Sequence, residues 1–357
     1  MFFPVYIILL HLSLVYLTKA YSILSSGFIR NITSSPLREE FDPEHGTLLA
    51  PILVPRARGS EGHSDVQHHF INFFSSKLPR WTLEWHNSTA STPAGKVPIN
   101  NMVFKREPPW TAPGQANWLT LAAHYDSRQL PLGFIGATDG AVPCAILMHV
   151  ATVIDGFMTQ MHDEMQELGE GGDSDAMDMG VQLVFLDAKE PVEGSSVQAL
   201  YGSKALSAEW ESHINAATSG HHNSLTQISM LVMLDALGSV GPRVPSYLPI
   251  THWAYAKMAD LEYRMREMKL LESNPSTFFL PSPAGETMQT QAQDDQGPFM
   301  NRGVPFLHLL PDPPPENRYT LDNDGVHLEM ATVRDWVRIV SGFACEWLDM
   351  MEVWPAE

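Results

Sequence analysis

Four short stretches carry side chains that can act together: His124-Tyr125-Asp126, Asp139 within Gly136-Ala137-Thr138-Asp139-Gly140, Asp187-Ala188-Lys189-Glu190, and Asp235. The first, third and fourth stand where apolar runs of strand length end, at residues 118–124, 181–187 and 230–235. In open α/β sheets ligands bind just outside the carboxyl ends of the strands, where side chains far apart in sequence converge. An imidazole among several carboxylates is a hard nitrogen-and-oxygen set, which suits zinc. Taken singly, each has a plainer role: Asp139 would cap the following helix, and Asp187 or Asp235 would end a strand in a turn. It is their joint recurrence at strand ends that points to a site.

The elements that must position these residues follow from the apolar pattern. Runs 118–124 (WLTLAAH), 181–187 (VQLVFLD), 230–235 (MLVMLD) and 304–310 (VPFLHLL) are nearly continuous, the mark of strands buried on both faces of a mainly parallel sheet. Shorter runs at 81–85 and 101–104 also read as strands. Helix-like stretches at 141–155, 200–211, 252–271 and 332–351 alternate with them, which predicts a three-layer α/β sandwich around a mixed, mainly parallel central sheet. An earlier helix is expected from an N-cap at Ser64, with Val66, Phe70, Phe73, Phe74 and Leu78 at helical spacing and Pro79 ending it. Residues 164–180, acidic and rich in Met and Gly, read as a solvated loop; residues 272–295 form a long irregular stretch of the kind that is often functional.

With 357 residues, 44% of them apolar, the chain can bury a sizeable core. Its formal net charge of −19 repels nucleic acid and acidic lipid surfaces. Residues 1–20 combine an apolar run with a small residue, Ala20, and read as a signal peptide; because no Lys or Arg precedes the run, an uncleaved anchor is the alternative. Residues 21–47, with Pro36 and Pro43, are expected to be an extended lead-in, and 48–357 a single domain, monomeric and without a further membrane span. The sequons at Asn31 and Asn87 would be glycosylated in the secretory-pathway lumen. Cys144 and Cys345 lie in apolar helical stretches and read as buried free thiols.

Beyond these signals the chain resembles the glutaminyl-peptide cyclotransferases, zinc enzymes related by fold to zinc aminopeptidases. The resemblance runs from Leu48 to Leu348. It rests on His124-Tyr125-Asp126-Ser127, Gly136-Ala137-Thr138-Asp139 with Ala141-Val142-Pro143-Cys144, Leu200-Tyr201-Gly202-Ser203, Gln293-Asp294-Asp295, and Arg302-Gly303-Val304-Pro305 with Leu307-His308-Leu309. It implies an acyltransferase that closes the N-terminal glutamine of peptides or proteins to pyroglutamate and releases ammonia. One zinc ion would polarise the side-chain amide while a carboxylate moves the protons. By position Asp139 and Glu190 match two zinc ligands, and Asp235 and Asp294 match the acidic partners of the proton shuttle. His124, Gln293, His308 and His327 are further site candidates.

Two positions depart from the family pattern. Lys189 stands where the shuttle glutamate is expected, and within Glu316-Asn317-Arg318-Tyr319-Thr320, Tyr319 stands at the zinc-binding histidine. A protonated lysine accepts no proton unless its pKa is strongly lowered. The pocket wall is also thinned: Pro314 replaces a phenylalanine, and 191–196 lacks the family's tryptophan. Three functions follow. The chain is a cyclotransferase with altered ligands that recruits His327 or Lys189. Or it is a zinc aminopeptidase built on His124, Asp139 and Asp235, which would need a base at the same Lys189 position. Or it is a catalytically dead member of the fold, in which Lys189→Glu with Tyr319→His is expected to create zinc binding and cyclase activity.

Overall fold

The apolar runs form the centre of a six-stranded sheet whose strands lie side by side in the order 82–92, 95–106, 179–186, 117–124, 228–234 and 306–309. The computed structural model describes residues 23–92, 95–169, 178–191, 198–274, 277–283 and 294–350. The strands are β1 (Thr82–Thr92), β2 (Gly95–Arg106), β3 (Asn117–His124), β4 (Met179–Leu186), β5 (Ile228–Leu234) and β8 (Phe306–Leu309); β6 (Val244–Ser246) and β7 (Phe279–Pro283) form a small parallel pair apart. Strands β4, β3, β5 and β8 run parallel, and the β1–β2 hairpin adds two antiparallel strands at one edge, as the mixed pattern predicts.

Both faces of the parallel strands are covered, and successive side chains alternate between them, as strand geometry requires. Leu119, Leu121 and Ala123 of β3, with Leu183 and Phe185 of β4 and Met230, Val232 and Leu234 of β5, join the larger core cluster. Ala122, Val184, Leu186, Leu231 and Met233 face the smaller one. Against the larger cluster pack α3 (Glu61–Lys77), α4 (Val142–Leu168), α6 (His252–Glu267) and α8 (Met330–Trp347); α5 (Tyr201–Ser212) and α7 (Gln296–Met300) cover the other face. Register keeps the strand ends level: His124 lies opposite Leu186, and Met233 opposite His308.

Several boundaries differ from the expectation. The lead-in is not extended: α1 (Ser26–Ile32) and α2 (Leu37–Phe41) bury Phe28, Ile29, Ile32, Leu37 and Phe41 in the main core. Helix α3 starts earlier, because Ser60, not Ser64, accepts the N–H of His63 and caps it. Helix α4 runs through the first part of the expected solvated loop to Leu168, and β7 occupies part of stretch 272–295. The helical stretch Ala137–Leu168, which ends in α4, is long and apolar enough to cross a bilayer, yet its most apolar part is mostly buried in the core. The signal-peptide residues lie outside the described residues.

Candidate functional site

The turn after β4 sorts its polar residues to opposite sides. Asp187 turns back into the scaffold, accepting the N–H of Asn100 at 2.9 Å and meeting His63 Nε2 at 3.0 Å. Ala188 then adopts a left-handed backbone (φ 59°), which reverses the chain and sends Lys189 inward. Helix α5 abuts this turn: a Cβ on Gly202 would lie 2.0 Å from the Asp187 carbonyl oxygen, so only glycine allows the approach. Asp126, just beyond β3, accepts the N–H groups of Lys189 and Glu190 at 3.2 and 3.0 Å and faces His124 Nδ1 at 3.3 Å. Burial alone would raise its carboxyl, but His124 and the Glu190 N–H keep it below its ordinary value.

Asp139 is presented by a π-helical turn, Ala137–Ala141, that leads into α4. Such turns recur at functional sites because the wide winding re-aims a side chain. The buried Arg56 ties this turn to the end of β3, donating from Nε to the Tyr125 carbonyl at 2.7 Å and from Nη2 to the Gly136 carbonyl at 3.1 Å. The strand-end trio His124-Tyr125-Asp126 already pointed to Asp126, whereas Arg56 stands far from any predicted strand end and carried no such signal.

At the centre the carboxylates are met by the chain's own cations. Lys189, 1% exposed, places Nζ 2.6 Å from Asp235 Oδ2, 3.0 Å from Asp294 Oδ1 and 3.8 Å from Asp295 Oδ2. Burial would lower its pKa, but Asp235, Asp294 and Asp295 together hold it well above the ordinary value, opposite to what a lysine base needs. Arg318 donates from Nε to Asp139 Oδ1 at 3.0 Å and from Nη2 to Asp235 Oδ2 at 2.8 Å. Burial would raise the Asp235 carboxyl, yet Arg318 and Lys189 hold it well below the carboxylate range. Asp139 is pushed up to about 6, chiefly by burial, with Arg318 opposing and Asp235 reinforcing. Its second oxygen accepts Asn323 Nδ2 at 2.8 Å. At the rim, Glu190 Oε2 accepts Arg128 Nε at 2.8 Å.

The structure thus brings Asp139, Lys189, Asp235 and Asp294 into one connected cluster, with Glu190 beside it under Arg128. His308 is buried next to them and pushed down to about 4 by burial, against the pull of Asp294 and Asp235. His124 is buried too; its Nε2 has no hydrogen-bond partner among the described residues. Tyr319 is not placed as a ligand would be: it is 46% exposed, with the Arg128 guanidinium 4.0 Å from its ring centroid, and its neighbour Arg318 reaches the carboxylates instead. His327 is exposed and bonds Asp324 at 2.8 Å. Gln293 and residues 192–196 lie outside the described residues. Asn31 is in α1, Asn87 is exposed on β1, and both cysteines are buried and free.

Does this donor set suit a metal ion? Asp235, Asp294 and His308 each offer an atom within 4.8 Å of the others, a spacing that could hold one. Lys189 Nζ, however, sits on one oxygen of each aspartate, Asp235 Oδ2 and Asp294 Oδ1, and both oxygens of Asp139 already accept from Arg318 and Asn323. A divalent cation would have to displace fixed positive charges, so the cluster as built does not fit one.

The signature of peptidase family M28 matches residues 103–344. A glutaminyl-peptide cyclotransferase-like protein of Bos taurus is 33% identical over 320 residues, covering 87% of this chain and 77% of the bovine one. Among solved structures, a Macrostomum lignano glutaminyl cyclase superposes with a TM-score of 0.78 at 23% identity, over 95% of this chain and 97% of its own. A Zn-dependent exopeptidase of Parabacteroides distasonis superposes at 0.56 and 13%, over 90% and 98% respectively.

Proposed function

The chain belongs to peptidase family M28 as a glutaminyl-peptide cyclotransferase-like protein, and from that premise we propose that it keeps the fold without the cyclase chemistry. One observation carries this reading: the ammonium of Lys189, the residue that the family resemblance sets at the shuttle position, is neutralised by Asp235, Asp294 and Asp295. Cyclisation requires a group that takes a proton from the attacking α-amine and returns one to the leaving nitrogen. A lysine held protonated has no lone pair to offer. Its neighbours Asp235 and Asp294 each commit an oxygen to the same ammonium, which stabilises their charged forms and makes them weaker bases.

The same geometry weighs against capture of a peptide N-terminus at the centre, because the carboxylates that would receive its ammonium already hold Lys189 and Arg318. The single zinc ion expected of the family would meet the same obstacle. An aminopeptidase reading needs a base at the Lys189 position as well, and nothing in the site favours it. The apolar residues 1–20 and the sequons at Asn31 and Asn87 support passage through the secretory pathway. The test is incubation of the purified secreted protein with glutamine-initiated peptides, with and without added zinc. Ammonia and pyroglutamate should stay at the level of a heat-killed control; zinc-stimulated release of both would overturn the proposal, and chelator-sensitive release of free amino acids would revive the peptidase alternative.

A further inference from the structure

Arg318 is the second cation in the cluster, and its placement has the marks of a built feature. Its guanidinium forms two directed bonds to carboxylates from different elements, one to Asp139 in the π-helical turn ahead of α4 and one to Asp235 after β5. Its backbone is held as firmly as its head group. Asn323 Nδ2 donates both to the Arg318 carbonyl at 2.9 Å and to Asp139 Oδ2 at 2.8 Å. Asn323 Oδ1 accepts from the N–H and the hydroxyl of Thr138 at 2.8 and 3.1 Å, and its carbonyl accepts the N–H of Ala137 at 3.0 Å. The segment carrying Arg318 is thereby stapled to the π-helical turn that presents Asp139.

We propose that Arg318 is a resident replacement for the metal ion, and that Arg318 rather than Tyr319 decides that this site is metal-free. A guanidinium shares its charge sign with a metal cation, and its planar fork of N–H donors can reach two carboxylates at once. It differs from a bound ion in being covalently tethered and permanently charged, so neither chelation nor ordinary pH removes it. Restoring a histidine at position 319 would therefore supply a ligand to a place that is already filled. On this proposal Lys189→Glu with Tyr319→His leaves the place occupied, and Arg318 must also be removed before the site can take a metal.

The inference rests on the family reading for which two ligands the metal would use, but not on whether the protein cyclises anything. The purified protein is equilibrated with zinc chloride, passed through gel filtration and assayed for zinc by elemental analysis, with thermal unfolding followed in zinc and in chelator. Wild type and Tyr319→His should emerge essentially metal-free, with the same melting temperature in both media. Arg318→Ala with Tyr319→His should retain about one zinc per chain, melt below wild type in chelator and recover on adding zinc, since metal binding to the native state alone adds to stability. Arg318→Gln with Tyr319→His keeps more of the side-chain volume and gives the same readout should the alanine variant not fold. Stoichiometric zinc in wild type or in Tyr319→His overturns the proposal, and so does a folded double variant that takes none. Ammonia release by metal-free wild type would instead sink the functional reading and leave this one standing.

Discussion

Asp126 and Asp235 lie just beyond neighbouring parallel strands, both buried, and they are stabilised in opposite ways. Asp126 is satisfied by two backbone N–H groups of the turn after β4, 63 and 64 positions away, and by an imidazole two residues back. Asp235 is held by two full positive charges whose residues stand 46 and 83 positions away in sequence. The first arrangement shapes the turn whatever occupies the centre. The second is stable only while both cations stay, because each buried charge relies on the others for its compensation. Asp235→Asn should therefore have the largest effect, a loss of about 3–5 kcal/mol, since Lys189 and Arg318 then share too few carboxylates. Asp126→Asn should cost less, about 1–3 kcal/mol, from mismatched hydrogen bonds. Urea unfolding of the two variants decides it: if Asp126→Asn is the costlier, the contrast between scaffold and centre is wrong.

Asn323 is the neutral link between the two regions, bonded on one side to Thr138 and on the other to Arg318 and Asp139. Asn323→Ala leaves those buried partners short of donors and acceptors, which should cost about 1–3 kcal/mol. The midpoint should drop without a change in m-value, as two-state behaviour requires for a local loss. A midpoint equal to wild type would mean that the arginine segment is held by something other than this staple.

How much of this was legible beforehand depended on the kind of signal. Strands β3, β4 and β5 and the polar residues after them were readable because burial on both faces leaves a continuous apolar run that stops where the sheet ends. Helices α1 and α2 were not, since seven and five residues are too few to show a period and Pro36 argued for extension. Ser60 and Ser64 are equivalent caps in sequence; only the accepted N–H of His63 separates them. The substitutions at 189 and 319 were visible by position, yet their consequence was not. Side-chain reach decides it: of two adjacent residues, Arg318 extends into the carboxylates while Tyr319 lies half-exposed beneath Arg128.

The smallest effect concerns a buried group outside the cluster that lacks what Asp126 and Asp235 have. His162 of α4 is buried with its ring edge-on to Trp110, and neither ring nitrogen has a hydrogen-bond partner among the described residues. Burial, aided by the charge of Arg106, pushes its pKa down to about 4. In the unfolded chain the imidazole titrates near its ordinary 6.5, so below that pH the unfolded state binds a proton that the folded state refuses. Its contribution is therefore complete above about 6.5 and is lost as pH falls towards 4. His162→Leu removes both the unsatisfied nitrogens and this proton linkage. The variant should melt at or slightly above wild type at pH 7, and the gap should widen in its favour by pH 5. A gap that is constant or shrinks over that range would show that His162 is compensated in the fold after all, and would remove the contrast with the paired charges of the centre.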